Sequence, residues 1–376
     1  MLKTRLKTTV KNIILFFIIL IICLGIFEVI YRAGNFNQYT YVSPNFAYNE
    51  DIDVFTLVPN SVGIIENSDI KIEVKANSIG MRDLERMYVK EKPRIAIVGD
   101  SFIFSHTDFE DSISQQLQDL NENAEILSFA LGSYDLRDYY NWITKEVHLY
   151  SPDIVILSLY IGNDIRDLEA DRGLTIYEGY LIKKGSIKTI KDKFKFRLVL
   201  FLKKYVKSHS FFYKFYAKLK NSDNSGSIAE KYVKAYSNHP ETIDNLDQTV
   251  EKIKQINDFL DEKDIELVVI MIPQKVQFFS QVEFDKEFYT KIPESHELQD
   301  VQREILFPQR YLFENLESAG IEILDLYPFL QSQHKDYYYN FDTHLNTEGN
   351  TIVAKEIQKY INNAHPVFEM KENVKE

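Results

Sequence analysis

The stretch "PRIAIVGDSFIFSH", from Pro93 to His106, decides the fold of this chain. Its apolar run at 94–98 predicts a buried strand, and Gly99 lets the chain turn sharply before Ser101, with a helix expected soon after. Ligand sites of open α/β sheets lie beyond the carboxyl ends of the strands. A serine at such a junction is by itself more typical of a helix cap than of a nucleophile. The other strand ends must therefore decide between these two roles.

Four further apolar runs predict strands later in the chain, at 125–130, 153–160, 265–272 and 321–326. Several are apolar throughout, which is typical of parallel strands that are covered on both faces. Amphipathic helical patterns separate these runs, and "EGNTIVAKEIQKYINN" predicts a closing helix. The alternation indicates βαβ units and therefore an α/β domain with an open, doubly wound parallel sheet.

Glycine and polar residues follow the second and third predicted strands. "FALGSYD" places Gly132 in the turn after the second strand, and "LYIGNDIRD" places Asn163 in the turn after the third. Parallel strands bring their carboxyl ends to one edge of a sheet, so these residues are expected to lie near Ser101. A serine hydroxyl can attack an acyl carbonyl while backbone N–H groups and an amide stabilise the oxyanion. Each residue taken alone would be interpreted as a turn residue.

A candidate base follows the fifth predicted strand. The segment "YYYNFDTHLNTEG" contains His344, with Asp342 two residues earlier. In an extended segment, residues i and i+2 face the same way, so Asp342 can hold one imidazole nitrogen and leave the other for Ser101. This arrangement would provide a nucleophile, its base and a group that orients the base. Asn346 or Thr347 is expected to cap the last helix, which would explain the polar run without catalysis.

The four blocks together resemble a known family. "GDSF" at 99–102, Gly132, "GND" at 162–164 and "DTH" at 342–344 are similar, in the same order, to the sequence blocks of the SGNH (GDSL-type) hydrolase superfamily. The resemblance implies a flavodoxin-like, three-layer α/β/α fold around a parallel five-stranded sheet. It also implies a site without a metal ion or an organic cofactor.

The resemblance assigns a role to each matching residue. Ser101 would be the nucleophile, His344 the base and Asp342 its orienter. The oxyanion hole would consist of the Ser101 N–H, the Gly132 N–H and the Asn163 side chain. The commoner last block of the family has two residues between aspartate and histidine. The shorter Asp-Thr-His spacing also occurs in branches that acetylate cell-surface polysaccharides, and it leaves Asp336 as an alternative partner for the histidine.

An apolar run near the N-terminus, from Ile13 to Ile30, predicts a transmembrane anchor at 12–31. Four basic residues precede the run and only Arg32 follows closely. The positive-inside rule therefore places the N-terminus in the cytoplasm and the catalytic domain outside, periplasmic where an outer membrane exists. A cleaved signal peptide is the alternative, but its apolar region is typically shorter, about 7–15 residues, and ends in a small-residue cleavage site. The folded part is extracytoplasmic on both interpretations.

A second charged feature lies at 183–220. This segment has twelve lysines and one arginine against one acid, Asp192, which gives it a net charge of +12 in a chain whose net charge is −12. It predicts either a basic amphipathic helix that contacts anionic lipid or acidic glycan, or an insertion with solvated lysines. A nucleic-acid partner is not expected, because the domain faces away from the cytoplasm and is otherwise acidic. The single cysteine, Cys23, excludes an intrachain disulfide and a thiolate metal site.

These observations favour a membrane-anchored, extracytoplasmic serine esterase or O-acyltransferase. The expected acyl group is acetyl, and the expected substrate is a carbohydrate polymer of the cell envelope or a secreted polysaccharide. One alternative is a non-catalytic component of a polysaccharide-export assembly, and another is a lipid esterase with 194–219 as a membrane-contacting lid. The expected divisions are a tail at 1–11, the anchor at 12–31, an extension at 32–92 packed on the main domain, the main domain at 93–364 with a basic insertion at about 180–227, and a flexible tail at 365–376.

Overall fold

The computed structural model describes residues 11–13, 15–20, 22–26, 46–66, 69–166, 168–177, 179–184, 228–292, 294, 296–331, 337–339 and 342–365. The chain divides into two compact units, one of residues 1–42 with 183–223 and one of residues 43–182 with 224–376. All the candidate site residues named above that the structure describes belong to the second unit.

The second unit contains a five-stranded parallel sheet with two helical layers, accompanied by three short two-stranded sheets. The strands are β1 (Phe46–Asn49), β2 (Val54–Leu57), β3 (Val62–Glu66), β4 (Lys71–Lys75), β5 (Arg94–Gly99), β6 (Glu125–Ala130), β7 (Ile154–Tyr160), β8 (Leu174–Tyr177), β9 (Tyr180–Lys183), β10 (Glu266–Ile272) and β11 (Glu322–Asp325). The named α-helices are α1 (Ser101–Phe104), α2 (Ile113–Asp119), α3 (Leu136–Lys145), α4 (Pro240–Asp261), α5 (Gln281–Glu287), α6 (Phe307–Ser318), α7 (Tyr327–Gln331) and α8 (Thr347–Ala364), and residues 228–235 are also helical.

The central sheet has the order β11-β10-β7-β5-β6, and every neighbouring pair is parallel. Numbered along the chain, its five strands lie in the order 2-1-3-4-5, which is the flavodoxin-like order. In this order, β5 lies between β6 and β7, at the point where the direction of winding reverses. The predicted α/β fold with a parallel five-stranded sheet is confirmed.

The sheet forms because its central strands are apolar on both faces. All six residues of β5 and all seven of β7 are buried. Helices α2, α7 and α8 pack in one group, and α3, α4 and α6 in another, so the sheet is covered by two helical layers. Arg94 is also buried, and its guanidinium donates to the carbonyl oxygens of Met87, Val89 and Tyr150. These acceptors make a buried charge tolerable at the start of the strand.

The segment at 46–92 contains two antiparallel pairs, β1 with β2 and β3 with β4. The apolar side chains of Val54, Leu57, Ile72 and Val74 belong to the same buried core as the central sheet. β8 and β9 form a third two-stranded sheet. These short strands are not among the five that the apolar runs predict, because strands of four or five residues carry too little periodic pattern to be recognised.

The predicted anchor lies partly, and the basic segment mostly, outside the described residues. Of the predicted anchor at 12–31, residues 14, 21 and 27–31 are outside, and the described remainder is helical with exposed apolar side chains. Among the described residues, no helix is long and apolar enough to cross a membrane. The basic segment at 183–220 lies outside from residue 185 onwards, so its contact with anionic lipid or acidic glycan stays a prediction.

Candidate active site

The turn from β5 into α1 places Ser101 at the carboxyl end of the central strand. Asp100 caps the helix, because its side chain accepts a hydrogen bond from the Phe102 N–H at 2.9 Å. Gly99 cannot be replaced without movement, since a Cβ there would lie 2.6 Å from Cγ1 of Ile103. The sequence therefore folds locally into a tight strand–helix junction, and the serine is the first helical residue rather than the cap.

His344 and Asp342 meet Ser101 as the sequence predicts. Nε2 of His344 lies 2.7 Å from Oγ of Ser101. Its Nδ1 forms a short hydrogen bond with Oδ1 of Asp342, and the same oxygen accepts the backbone N–H of His344 at 2.9 Å. The backbone N–H of Asp342 donates in turn to the Asp69 carboxylate at 2.7 Å. The alternative partner, Asp336, lies outside the described residues.

Electrostatics favour an ionised carboxylate at Asp342. Burial opposes its ionisation, but the neighbouring imidazoles of His106 and His344 hold the pKa of Asp342 well below its usual range. An ionised carboxylate on Nδ1 fixes the tautomer of His344, so that Nε2 carries the lone pair that faces the serine hydroxyl. The arrangement can accept a proton from Ser101 as its oxygen attacks an electrophile.

The two predicted oxyanion residues lie on either side of the serine strand. A Cβ added to Gly132, which follows β6, would be in ordinary contact with Cβ of Ser101 at 3.8 Å. Asn163 follows β7 on the other side, and its Nδ2 donates to Oδ2 of Asp100 at 3.1 Å. Asp100 is the only acceptor that this amide nitrogen has among the described residues, so its second N–H remains for a ligand. Oδ1 of Asn163 is buried and has no hydrogen-bond partner among the described residues.

A buried carboxylate supports the turn that carries Asn163. Asp164 accepts hydrogen bonds from the Tyr160 N–H at 2.9 Å and from the Tyr139 hydroxyl at 3.1 Å. Burial raises the pKa of Asp164 well above its usual range. Gly162 is required in the same turn, because a Cβ there would overlap the ring of Tyr160. These contacts hold the turn against the end of β7.

Two residues that support the site were missed by the sequence analysis. Arg82 is buried, and its guanidinium donates to the carbonyl oxygens of Phe104 at 2.8 Å, Ser105 at 2.6 Å and Thr107 at 2.7 Å. Burial lowers the pKa of Arg82 to about 10. The sequence around it, "NSIGMRD", indicates only a turn. The second residue is His106, whose Nδ1 lies 3.6 Å from the other carboxylate oxygen of Asp342. Its only sequence signal is its place in the opening stretch.

Two clusters have the donor types that bind metal ions. In the first, of His106, Asp342 and His344, both nitrogens of His344 are already engaged, one by the carboxylate and one by Ser101. That geometry suits proton transfer rather than coordination. In the second, the two nitrogens of His365 face different carboxylates, Glu266 at 3.2 Å and Glu322 at 3.9 Å. This imidazole and the two carboxylates lie where the end of α8 meets the first residues of β10 and β11.

A serine, an imidazole and a carboxylate grouped at the carboxyl ends of a 2-1-3-4-5 parallel sheet define a flavodoxin-like α/β domain with a serine-hydrolase type of site. A family model described as "SGNH hydrolase-like domain, acetyltransferase AlgX" matches residues 232–375, which include Asp342 and His344. This C-terminal part of the chain is therefore similar to an SGNH hydrolase-like domain, which agrees with the resemblance of the four sequence blocks. The blocks around Ser101, Gly132 and Asn163 precede the matched region.

Several solved structures are similar to this chain at low identity. A lipase/acylhydrolase from Enterococcus faecalis is 11% identical, with 72% of this chain and 96% of that chain covered and a TM-score of 0.36. A GDSL-like lipase from Bacteroides thetaiotaomicron is 11% identical, with 73% and 91% covered and a TM-score of 0.36. A catalytic mutant of Axe2, an acetylxylan esterase from Geobacillus stearothermophilus, is 10% identical, with 73% and 96% covered and a TM-score of 0.38. No curated protein sequence matches the chain. Similarity this distant says nothing about the substrate.

Proposed function

We propose that this protein is a serine esterase or O-acyltransferase that works through an acyl-serine intermediate. The observation that carries the proposal is the 2.7 Å contact between Oγ of Ser101 and Nε2 of His344, with Asp342 on the opposite nitrogen. Nucleophilic acyl transfer requires a hydroxyl, a base hydrogen-bonded to it, and an ionised carboxylate that orients the base. The match to an SGNH hydrolase-like family supports the same chemistry.

The geometry supports the following steps. Nε2 of His344 takes the hydroxyl proton as Oγ of Ser101 bonds to the acyl carbonyl carbon, and the developing oxyanion accepts hydrogen bonds from the N–H groups of Ser101 and Gly132 and from the amide of Asn163. When the tetrahedral intermediate collapses, the bond to the leaving alkoxide breaks and that oxygen takes the proton from His344. Water or a sugar hydroxyl then gives its proton to His344 as its oxygen bonds to the acyl carbon. The acyl–Oγ bond breaks, and His344 returns the proton to Oγ of Ser101.

We further propose that the acyl group is acetyl and that the donor or acceptor is a cell-envelope or secreted polysaccharide. The acetyl group is suggested by the family description, which names an acetyltransferase. A polysaccharide is suggested by the predicted anchor, because surface polymers are assembled at the membrane. Purified full-length protein is expected to hydrolyse p-nitrophenyl acetate with a kcat/KM at least about tenfold higher than that for p-nitrophenyl octanoate, since a small acyl pocket excludes a long chain. A preference for octanoate would instead support the lipid esterase.

The orientation of the chain is also proposed. Residues 12–31 would span the membrane once, with the N-terminus in the cytoplasm and the domain from residue 46 onwards outside, because the basic residues before the apolar run outnumber those after it. Protease added to intact spheroplasts is expected to degrade a C-terminal epitope tag and to leave an N-terminal tag protected. Protection of the C-terminal tag until the membrane is permeabilised would contradict this orientation.

A further inference from the structure

The carboxylate of Asp342 lies between two imidazoles. Its Oδ1 binds the ring and backbone N–H of His344, and its Oδ2 lies 3.6 Å from Nδ1 of His106. The two histidine rings are themselves in contact, with centroids 3.9 Å apart and planes inclined by 44°. His106 therefore touches both members of the pair that would activate Ser101, although it belongs to the segment that carries the serine.

Three hydrogen bonds to backbone carbonyl oxygens hold the segment around His106 in place. Arg82 binds the carbonyl oxygens of the residues on either side of it, Ser105 and Thr107. The Tyr339 hydroxyl donates to the carbonyl oxygen of His106 at 3.1 Å, while the Tyr339 N–H donates to the carbonyl oxygen of His344 at 3.1 Å. The side chain is buried, with 4% of the residue exposed. A flexible surface histidine would have none of these restraints.

The charge of His106 follows from its surroundings. Burial lowers its pKa, against the opposing effect of the Asp342 carboxylate, so the ring is neutral near neutral pH. A neutral imidazole donates a hydrogen bond from one nitrogen only, and the carboxylate selects Nδ1 for that hydrogen. The 3.6 Å separation is long for a hydrogen bond, but such contacts in hydrolase sites often shorten when substrate binds.

We propose that His106 is a positioning residue of this site: it directs Nδ1–H at Asp342, shares the charge of that carboxylate, and packs against His344 so that the imidazole stays directed at Ser101. The kinetic consequences rest on the proposed acyl-transfer function, whereas the contacts with Asp342 do not. A carboxylate that is shared between two donors attracts a proton on His344 less strongly than one with a single donor. Loss of the His106 donor is therefore expected to change the pH dependence of the reaction.

The charged and titratable groups around the two rings come from several elements. They are Asp342, Asp69 and Tyr339 from the neighbouring loops, Arg82 from the segment before β5, and Asp100 at the start of α1. Arg82 repels a proton on His106, and Asp100 interacts with His344 across the site. Substitution of His106 leaves all of these in place, so a change in pH dependence would report the lost donor.

Two substitutions separate the hydrogen bond from the ring contact. His106→Phe keeps an aromatic ring against His344 but removes the donor, and His106→Asn keeps an N–H near the position of Nδ1 but removes the ring. In full-length protein, we expect His106→Phe to lower kcat for p-nitrophenyl acetate about tenfold, with KM little changed. We also expect the acid limb, the fall in kcat/KM on the acidic side of its pH profile, to move up by about one pH unit. In His106→Asn, kcat should fall while the acid limb stays at the wild-type pH.

A double-mutant cycle tests whether His106 acts through Asp342. His106→Phe is expected to have little further effect on kcat when Asp342→Asn is already present, because the shared charge no longer exists. A tenfold loss in both backgrounds would overturn the proposal. Equal losses of kcat in His106→Phe and His106→Asn, with no change in the acid limb, would also overturn it. Such losses indicate that His106 only packs, and both variants would then show a lower thermal unfolding temperature.

A spectroscopic measurement distinguishes failure of this proposal from failure of the proposed function. Wild-type protein is expected to show two downfield ring N–H proton resonances, from His344 and His106, and His106→Phe should lose one and shift the other. If wild type and Ser101→Ala hydrolyse no acetyl ester but both resonances are present, the function is wrong and the positioning contact stands. If His106→Phe leaves the remaining resonance unmoved, the positioning contact is wrong whatever the activity.

Discussion

Replacing Ser101 by alanine is expected to lower kcat for p-nitrophenyl acetate by at least about 10³-fold, because no other oxygen can form the covalent intermediate. Oγ of Ser101 is the only partner that the structure gives to Nε2 of His344 among the described residues, so the base has nothing to deprotonate once the hydroxyl is removed. KM should change little, since alanine leaves the site open. Stopped-flow or steady-state release of p-nitrophenol measures both constants.

The controls for this prediction are built into the chain. His344→Ala alone and the double variant should lose about as much activity as Ser101→Ala, because residues that act as a unit are not additive. Ser318→Ala is a matched control, since that serine is exposed at the end of α6 and its hydroxyl donates only to the Asn315 carbonyl oxygen. Equal rates for wild type and Ser101→Ala would sink the enzymatic proposal. The non-catalytic component of an export assembly would then be the better interpretation.

Replacing Asn163 by alanine is expected to lower kcat about 10²- to 10³-fold with little change in KM, the usual loss of one oxyanion donor. The side chain lies at the end of β7, beside the serine strand, and only one of its N–H groups is used by Asp100. The loss should appear in kcat because the oxyanion forms only after Ser101 attacks. Kinetics with p-nitrophenyl acetate, compared with thermal unfolding, separate this effect from destabilisation.

A structural contribution from Asn163 is also expected, and it can be measured separately. Its removal leaves a buried oxygen of Asp100 without the amide donor, which costs about 1–3 kcal/mol of unfolding free energy. Asn141→Ala is the matched control, because Asn141 donates to the Asp53 carbonyl oxygen at 3.2 Å on an exposed face of α3. A kcat for Asn163→Ala within threefold of wild type would remove Asn163 from the oxyanion hole and leave it a support for Asp100.

Much of this site could be predicted because its signals are local. Gly99 and Ser101 follow a run of buried apolar residues, and the sheet order places that strand between those ending before Gly132 and Asn163. The predicted meeting of three strand ends follows from parallel pairing alone. Asn346 also caps α8 as expected, since its side chain accepts the Gly349 N–H at 2.9 Å.

His344 reaches the site in a way that the strand pattern did not reveal. It follows β11, the edge strand, which lies three strand spacings, about 14 Å, from β5. Tyr338, which lies between α7 and His344 in the chain, donates its hydroxyl hydrogen at 2.8 Å to the carbonyl oxygen of Pro273, just after β10. The predicted pairing of His344 with Asp342 is present, but the two residues lie in bends and not in an extended segment, and the carboxylate reaches both the ring and the backbone N–H of His344 because only one residue separates them.

Apolar periodicity and residues a few positions apart were enough to predict the five strands of the central sheet, their parallel pairing, the turn at Ser101 and the candidate base His344. The roles of Arg82, His106 and Tyr339 were decided only by tertiary structure. Arg82 binds carbonyl oxygens more than twenty residues away, and Tyr339 binds that of His106 from 233 residues away. Contacts between residues so far apart in the sequence produce no recognisable pattern in it, because they depend on how the folded elements pack and not on the neighbouring residues.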